Sequence, residues 1–132
     1  MLLHREESYI IRGVAFDVYK ALGHAHKEKI YQNAMTLGLL RCSALSIERE
    51  RRIPVHYAGK QVGVYIPDIV VNQKILLELK AKPLLLKEDL RQFWEYLKGS
   101  EYRLGFLINF GDPRGVKIAR RVYDTARNQL SP

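Results

Sequence analysis

The chain is 132 residues long, with 47% apolar and 27% charged residues, a composition that suits one packed domain and excludes a disordered chain. No apolar run approaches the ~20 residues of a membrane-spanning helix, and a lone cysteine, Cys42, excludes both an internal disulfide and a four-cysteine zinc site. Twenty-two Lys and Arg against 14 Asp and Glu give a net charge of +8, which favours a polyanionic partner, usually nucleic acid.

The opening Met1-Leu2-Leu3-His4-Arg5-Glu6-Glu7 lacks the apolar core of a secretory signal, so a reducing, cytoplasmic setting is expected. A first helix is predicted over about 8–22, where Tyr9, Ile10, Val14, Phe16, Val18 and Leu22 are too irregular for a strand and Gly23 supplies a stop. A second is predicted over about 27–41, with Ile30, Tyr31, Ala34, Met35 and Leu37 at helical spacing and Gly38 as a weak point inside it. Residues 47–57 read as a long, mostly polar extended segment, turned by Ala58-Gly59-Lys60. The β-branched Val62, Val64, Ile66, Ile69, Val70 and Val71 continue as a strand interrupted by Pro67. After a short connection at Asn72-Gln73-Lys74, residues 75–81 form a third strand apolar enough for the middle of a sheet. A helix over about 86–98 carries Leu86, Leu90, Phe93 and Leu97 as a buried stripe. Residues 103–110 are a fourth strand, 111–115 a turn, and a final helix runs through about Arg127. The order α-α-β-β-β-α-β-α implies a mixed sheet flanked by helices, in a single domain over 1–132 with its core at about 8–127.

Three charged residues are out of place in the most apolar strands. Asp68 follows Ile66-Pro67, and Glu78 and Lys80 interrupt a run of leucines. Glu78 and Lys80 project from one face, and Leu77, Leu79 and Ala81 from the other. If the connection has three residues, Val71 pairs with Ile75 and Asp68 falls opposite Glu78, on the face that also carries Lys80. A two-residue turn would separate the acids unless a bulge intervened. Adjacent carboxylates repel unless a hard cation lies between them, and oxygen ligands suit magnesium or manganese. Such an ion polarises a phosphodiester and acidifies water, and an adjacent lysine can orient that water or offset developing charge. An isolated acid-x-lysine is ordinarily a solvated pair at a sheet edge, so the context has to carry the assignment.

Pro67-Asp68, nine intervening residues, then Glu78-Leu79-Lys80, on a strand–hairpin–strand unit with helices before and after, resembles the PD-(D/E)xK nuclease superfamily. Residues 22–31, Leu-Gly-His-Ala-His-Lys-Glu-Lys-Ile-Tyr, resemble the signature of the GxxExxY protein family, a nuclease-like branch of it. Arg91-Gln92-Phe93-Trp94-Glu95-Tyr96-Leu97 is similar to that family's Q-x-x-x-Y-L helix, and residues 104–111 to its last core strand.

The resemblance implies a magnesium- or manganese-dependent hydrolase acting on DNA. It makes Asp68 and Glu78 metal-binding acids, Lys80 the catalytic lysine and Glu28 a further acid completing the metal site. Gln92 would position substrate or water, with Tyr96 one turn beyond it. Glu28 also suits a plain helix N-terminal charge, Tyr31 a core residue, and Gln92 and Tyr96 a mutual contact. The sequence departs from the family's pattern at Ala25, where it has glycine, at His24 and His26, and at Asp89, where relatives often have histidine. Alanine at position 25 is costly only if that position needs a positive φ. No Gly-rich phosphate loop or base-reading helix is present, so phosphate binding with little sequence discrimination is expected, unless a homodimer or larger assembly adds it. The alternative is an inactive module that keeps the fold and binds nucleic acid or assembles with protein.

Overall fold

A computed structural model of the chain describes residues 3–123. Two helices, α1 (Arg5–Leu22) and α2 (Glu28–Leu40), precede the strands β1 (Ile47–Arg49), β2 (Ile53–Tyr57), β3 (Lys60–Tyr65), β4 (Ile69–Val71) and β5 (Ile75–Lys80). Then follow α3 (Lys87–Gly99), β6 (Leu104–Asn109) and β7 (Lys117–Val122). Five strands form one sheet in the order β1-β4-β5-β6-β7, and β2 and β3 form a separate two-stranded ribbon. The pairs β1–β4, β4–β5 and β6–β7 are antiparallel, and β5–β6, joined by the α3 crossover, is parallel. This is the mixed, helix-flanked sheet expected from the order of elements.

The two faces of the sheet follow from the alternation of side chains. Ile69, Val71, Ile75, Leu77, Leu79, Phe106 and Ile108 meet Ile11, Ala15, Tyr31, Met35 and Leu39 of α1 and α2. Val70 and Leu76 point the other way and meet Leu97 of α3 together with Ile53 and Tyr65 of the ribbon. Phe93 also lies on that side, with its ring so close to Gly105 that a Cβ there would stand 2.6 Å from Cζ. Gly38 acts similarly between the first two helices, because a Cβ would meet Val14 Cγ1 at 2.5 Å. The residue that weakens the helical reading of α2 is therefore the one that lets α1 cross it closely.

The loop at 72–74 has three residues. Asn72 and Gln73 have positive φ, Lys74 N–H donates to Val71 O, and Val71 pairs with Ile75. The long polar segment at 47–57 divides at Glu50, which has φ 54°, so that β1 joins the main sheet and β2 leaves it.

The expected final helix is corrected. Residues 117–122 form the edge strand β7, paired with β6 from Leu104↔Val122 to Asn109↔Lys117. Ile118 packs against the core while Lys117 is exposed, and Arg120 and Arg121 charge the edge against further strand pairing. Run together, the bases and small apolar residues of 117–122 mimic a helical pattern, but the turn at 111–115 returns the chain antiparallel to β6. The rest of that predicted helix, 124–127, lies outside the described residues. Among the described residues no helix is long and apolar enough to cross a membrane.

Candidate active site

Asp68 stands one residue before β4. Because Ile69 pairs with Leu77, Asp68 falls opposite Glu78, as the three-residue loop requires. Asp68 Oδ2 accepts from the Leu79 backbone N–H at 2.7 Å, and its Oδ1 accepts from Gln32 Nε2 at 3.0 Å. Glu78 Oε1 accepts from the Tyr65 hydroxyl at 2.8 Å, and the Tyr65 ring stacks on Tyr96 with centroids 4.3 Å apart. Tyr96 thereby reaches the site through an aromatic partner. Gln92 is exposed on α3 and shares a narrow crevice with Glu78, Lys80 and Tyr96.

Burial dominates the electrostatics. It pushes Glu78 up to about 7, with the neighbouring Asp68 charge adding to the shift, against the Tyr65 hydrogen bond and Lys80. Asp68 is also raised by burial, against the opposing effects of the Leu79 N–H, Lys80, Arg49 and Gln32. Tyr65 is pushed up by burial and by Glu78, so its hydroxyl stays a donor. Lys80 makes no ion pair among the described residues, so its ammonium is left free beside the two acids. A salt bridge binding Lys80 to Glu78 is not formed.

Glu28 begins α2, and its carboxyl is raised by desolvation and by Asp68 and lowered by Lys80. It reaches the acids through Gln32, whose Nε2 also contacts Glu28 Oε1 at 3.4 Å. Among the described residues no three His, Cys, Asp or Glu side chains form a group able to hold a metal ion. Asp68 and Glu78 are brought together, and Glu28 shares the Gln32 amide with Asp68. His24 and His26 are exposed. Tyr31 is a core residue, fully buried, stacked on Phe110 and donating its hydroxyl proton to Gly23 O. Asp89 is committed to an ion pair with Lys82 at 2.7 Å and accepts from the Leu86 N–H at the start of α3.

The donor set fits a hard divalent cation. Two adjacent carboxylates, both destabilised by burial, form no ion pair among the described residues, and magnesium is commonly held by one or two carboxylates with waters and phosphate completing its shell. Asp68 and Glu78 would hold it, and no soft ligand competes.

Two positioning residues, Gln32 and Tyr65, were not singled out from the sequence. Gln32 lies four residues after Glu28, the spacing that puts both on one helical face, so a signal existed. Tyr65 gives none, because its role depends on the ribbon folding back over Glu78.

The raised carboxyl predicts a pH dependence. Glu78 binds its proton more tightly when folded, so its contribution to stability is greatest below 4.5 and is lost as pH rises through about 7. The metal-free protein should show a melting temperature that falls across that window, and Glu78→Gln should flatten the fall. A thermal melt series on both proteins checks it, and an unchanged slope in Glu78→Gln would assign the effect elsewhere.

The sequence profile of the PD-(D/E)XK nuclease superfamily matches residues 5–122, nearly the whole described chain. No curated protein and no solved structure matches it.

Proposed function

This chain belongs to the PD-(D/E)XK nuclease superfamily, and from that premise we propose that it is a magnesium- or manganese-dependent nuclease hydrolysing phosphodiester bonds in DNA. The observation that supports this most is the trio at the end of the β4–β5 pair: two half-buried, adjacent carboxylates, Asp68 and Glu78, with Lys80, unpaired among the described residues, beside them. The finer placement is the GxxExxY family. Ala25 stands where that signature has glycine, and its φ is not positive, so alanine is unstrained there.

Asp68 and Glu78 hold the cation, which when bound polarises the phosphodiester and acidifies water. Asp68 is oriented for this by Leu79 N–H and Gln32, and Glu78 by Tyr65. Lys80 offsets charge growing on the phosphoryl oxygens, or orients the attacking water. Gln92 and Tyr96 border the same crevice and contact the substrate backbone. Glu28, which shares the Gln32 amide with Asp68, is the further acid that completes the metal site.

The test is incubation of the purified protein with linear, circular and single-stranded DNA, with manganese, with magnesium and with chelator. Strand loss that needs the divalent ion is expected for at least one of the three. Intact DNA in every case, with retained salt-sensitive binding, would instead favour the inactive nucleic-acid-binding module.

A further inference from the structure

Beside Asp68 a cleft of about 530 Å³ opens between α2 and the β1–β2 segment, lined by Gln32, Arg49, Glu50, Arg52 and Asp68 among others. A second, of about 480 Å³, lies between the start of β2 and the end of α3, bordered by Arg51, Arg52, His56, Lys98 and one acid, Glu101, among others. Arg52 borders both. Arg52 therefore stands between the cleft that holds a candidate catalytic acid and the second cleft.

The arginines along these clefts differ in their commitments. Arg49 is fixed, with Nη1 donating to Asn33 Oδ1 at 3.1 Å and Thr36 Oγ1 at 3.3 Å. Its Nε is buried without a partner, and its charge acts on Asp68. Arg51 is paired with Glu48 at 2.9 Å. Glu50, the second acid of the first cleft beside Asp68, faces Lys29 at 3.8 Å. Arg52 is exposed and, among the described residues, makes neither an ion pair nor a hydrogen bond. An unpaired guanidinium at the junction of two clefts suits a phosphate, which it can grip with two parallel N–H donors.

Resting on the nuclease reading above, we infer that these clefts are a track for the substrate backbone, with Arg52 clamping a phosphate next to the one that is cut. The scissile phosphate lies at Asp68 and Glu78, and the strand continues over Arg52 towards Lys98. A lone small anion would occupy only part of one cleft, whereas a chain of phosphates can span both. Arg49, held rigid by α2, sets the floor of the path, and Arg52 closes on the strand when it arrives.

The test uses a fluorescein-labelled DNA duplex and fluorescence anisotropy without divalent metal, across a series of salt concentrations. The proteins are wild type, Arg52→Ala, Arg52→Lys and Lys117→Ala. Lys117 is an exposed base on β7, at the opposite edge of the sheet from β1. Arg52→Ala should weaken binding about tenfold and lower the slope of log affinity against log salt by about 1. Arg52→Lys should recover most of the slope and only part of the affinity, since a point charge lacks the fork. Lys117→Ala should remain within about twofold of wild type in affinity. Equal losses in Arg52→Ala and Lys117→Ala would overturn the track in favour of a diffuse positive field, and so would no loss in Arg52→Ala. Failure of the parent reading is distinct: wild type itself would not bind, or would bind but never cut with metal added. A melting temperature for each protein shows that folding is intact, as expected for an exposed side chain without partners.

Discussion

Lys80→Met should fold normally, retain metal and DNA binding, and lose cleavage by about 10²–10⁴-fold, the range of a lost proton-transfer or charge-stabilising group. Lys80 ends β5 two residues beyond Glu78, on the same face, with its ammonium outside any ion pair among the described residues. Methionine keeps the aliphatic stem and removes the charge. A cation repels an incoming metal ion, so the lysine's contribution lies in the chemical step. If Lys80 were only a structural counter-charge to the buried acids, its removal would lower the melting temperature and leave cleavage intact. Rate and melting temperature measured on one preparation separate the two, and undiminished cleavage by Lys80→Met would sink the catalytic role.

Phe93→Ala should destabilise the fold by about 3–5 kcal/mol, while its neighbour Gln92→Ala changes stability by less than about 0.5 kcal/mol. Phe93 is 2% exposed and its ring rests on Gly105 of β6, so truncation opens a cavity between α3 and the sheet. The surroundings cannot collapse into it cheaply, because glycine offers no side chain to move. Gln92, one position round the helix, is exposed on the crevice of Glu78 and Lys80. Its loss should lower cleavage on the order of tenfold through poorer positioning of the substrate. Urea titrations with activity assays check both. Unfolding by Gln92→Ala, with Phe93→Ala tolerated, would reverse the assigned phase of α3.

The register of the β4–β5 hairpin was legible in the sequence because the period of a strand is two and the charged residues were few. A three-residue loop puts Asp68, Glu78 and Lys80 on one face without a bulge, and that loop is what forms. The buried stripe of α3 was legible for Phe93 and Leu97, but Leu86 is 43% exposed because it precedes the first turn of the helix. β7 was illegible for a different reason. An edge strand buries little and carries charge against further pairing, so Lys117, Arg120 and Arg121 erase the alternation by which strands are recognised. Gly38 misled in the opposite direction, since a helical glycine counts against a helix unless the crossing partner, Val14, is known.

Within the site, the acids and the lysine were readable as charges in apolar strands, and their supports were not. Tyr65 reaches Glu78 only because Pro67 and Ile66 end the ribbon and return the chain to the main sheet. Gln32 was readable in principle from its spacing to Glu28, yet its bond to Asp68 spans 36 positions and belongs to the tertiary fold. Glu28, expected to complete the metal site, shares the Gln32 amide with Asp68, because Nε2 lies within reach of both carboxylates.

On the proposed function, Asp68 and Glu78 share a divalent cation. A calorimetric titration of manganese into wild type and Asp68→Asn tests it most directly, run at ~pH 8 so that Glu78, raised to about 7, is ionised. A saturable site is expected in the wild type, with affinity weakened at least about tenfold in Asp68→Asn. Equal affinity in the two proteins would contradict it.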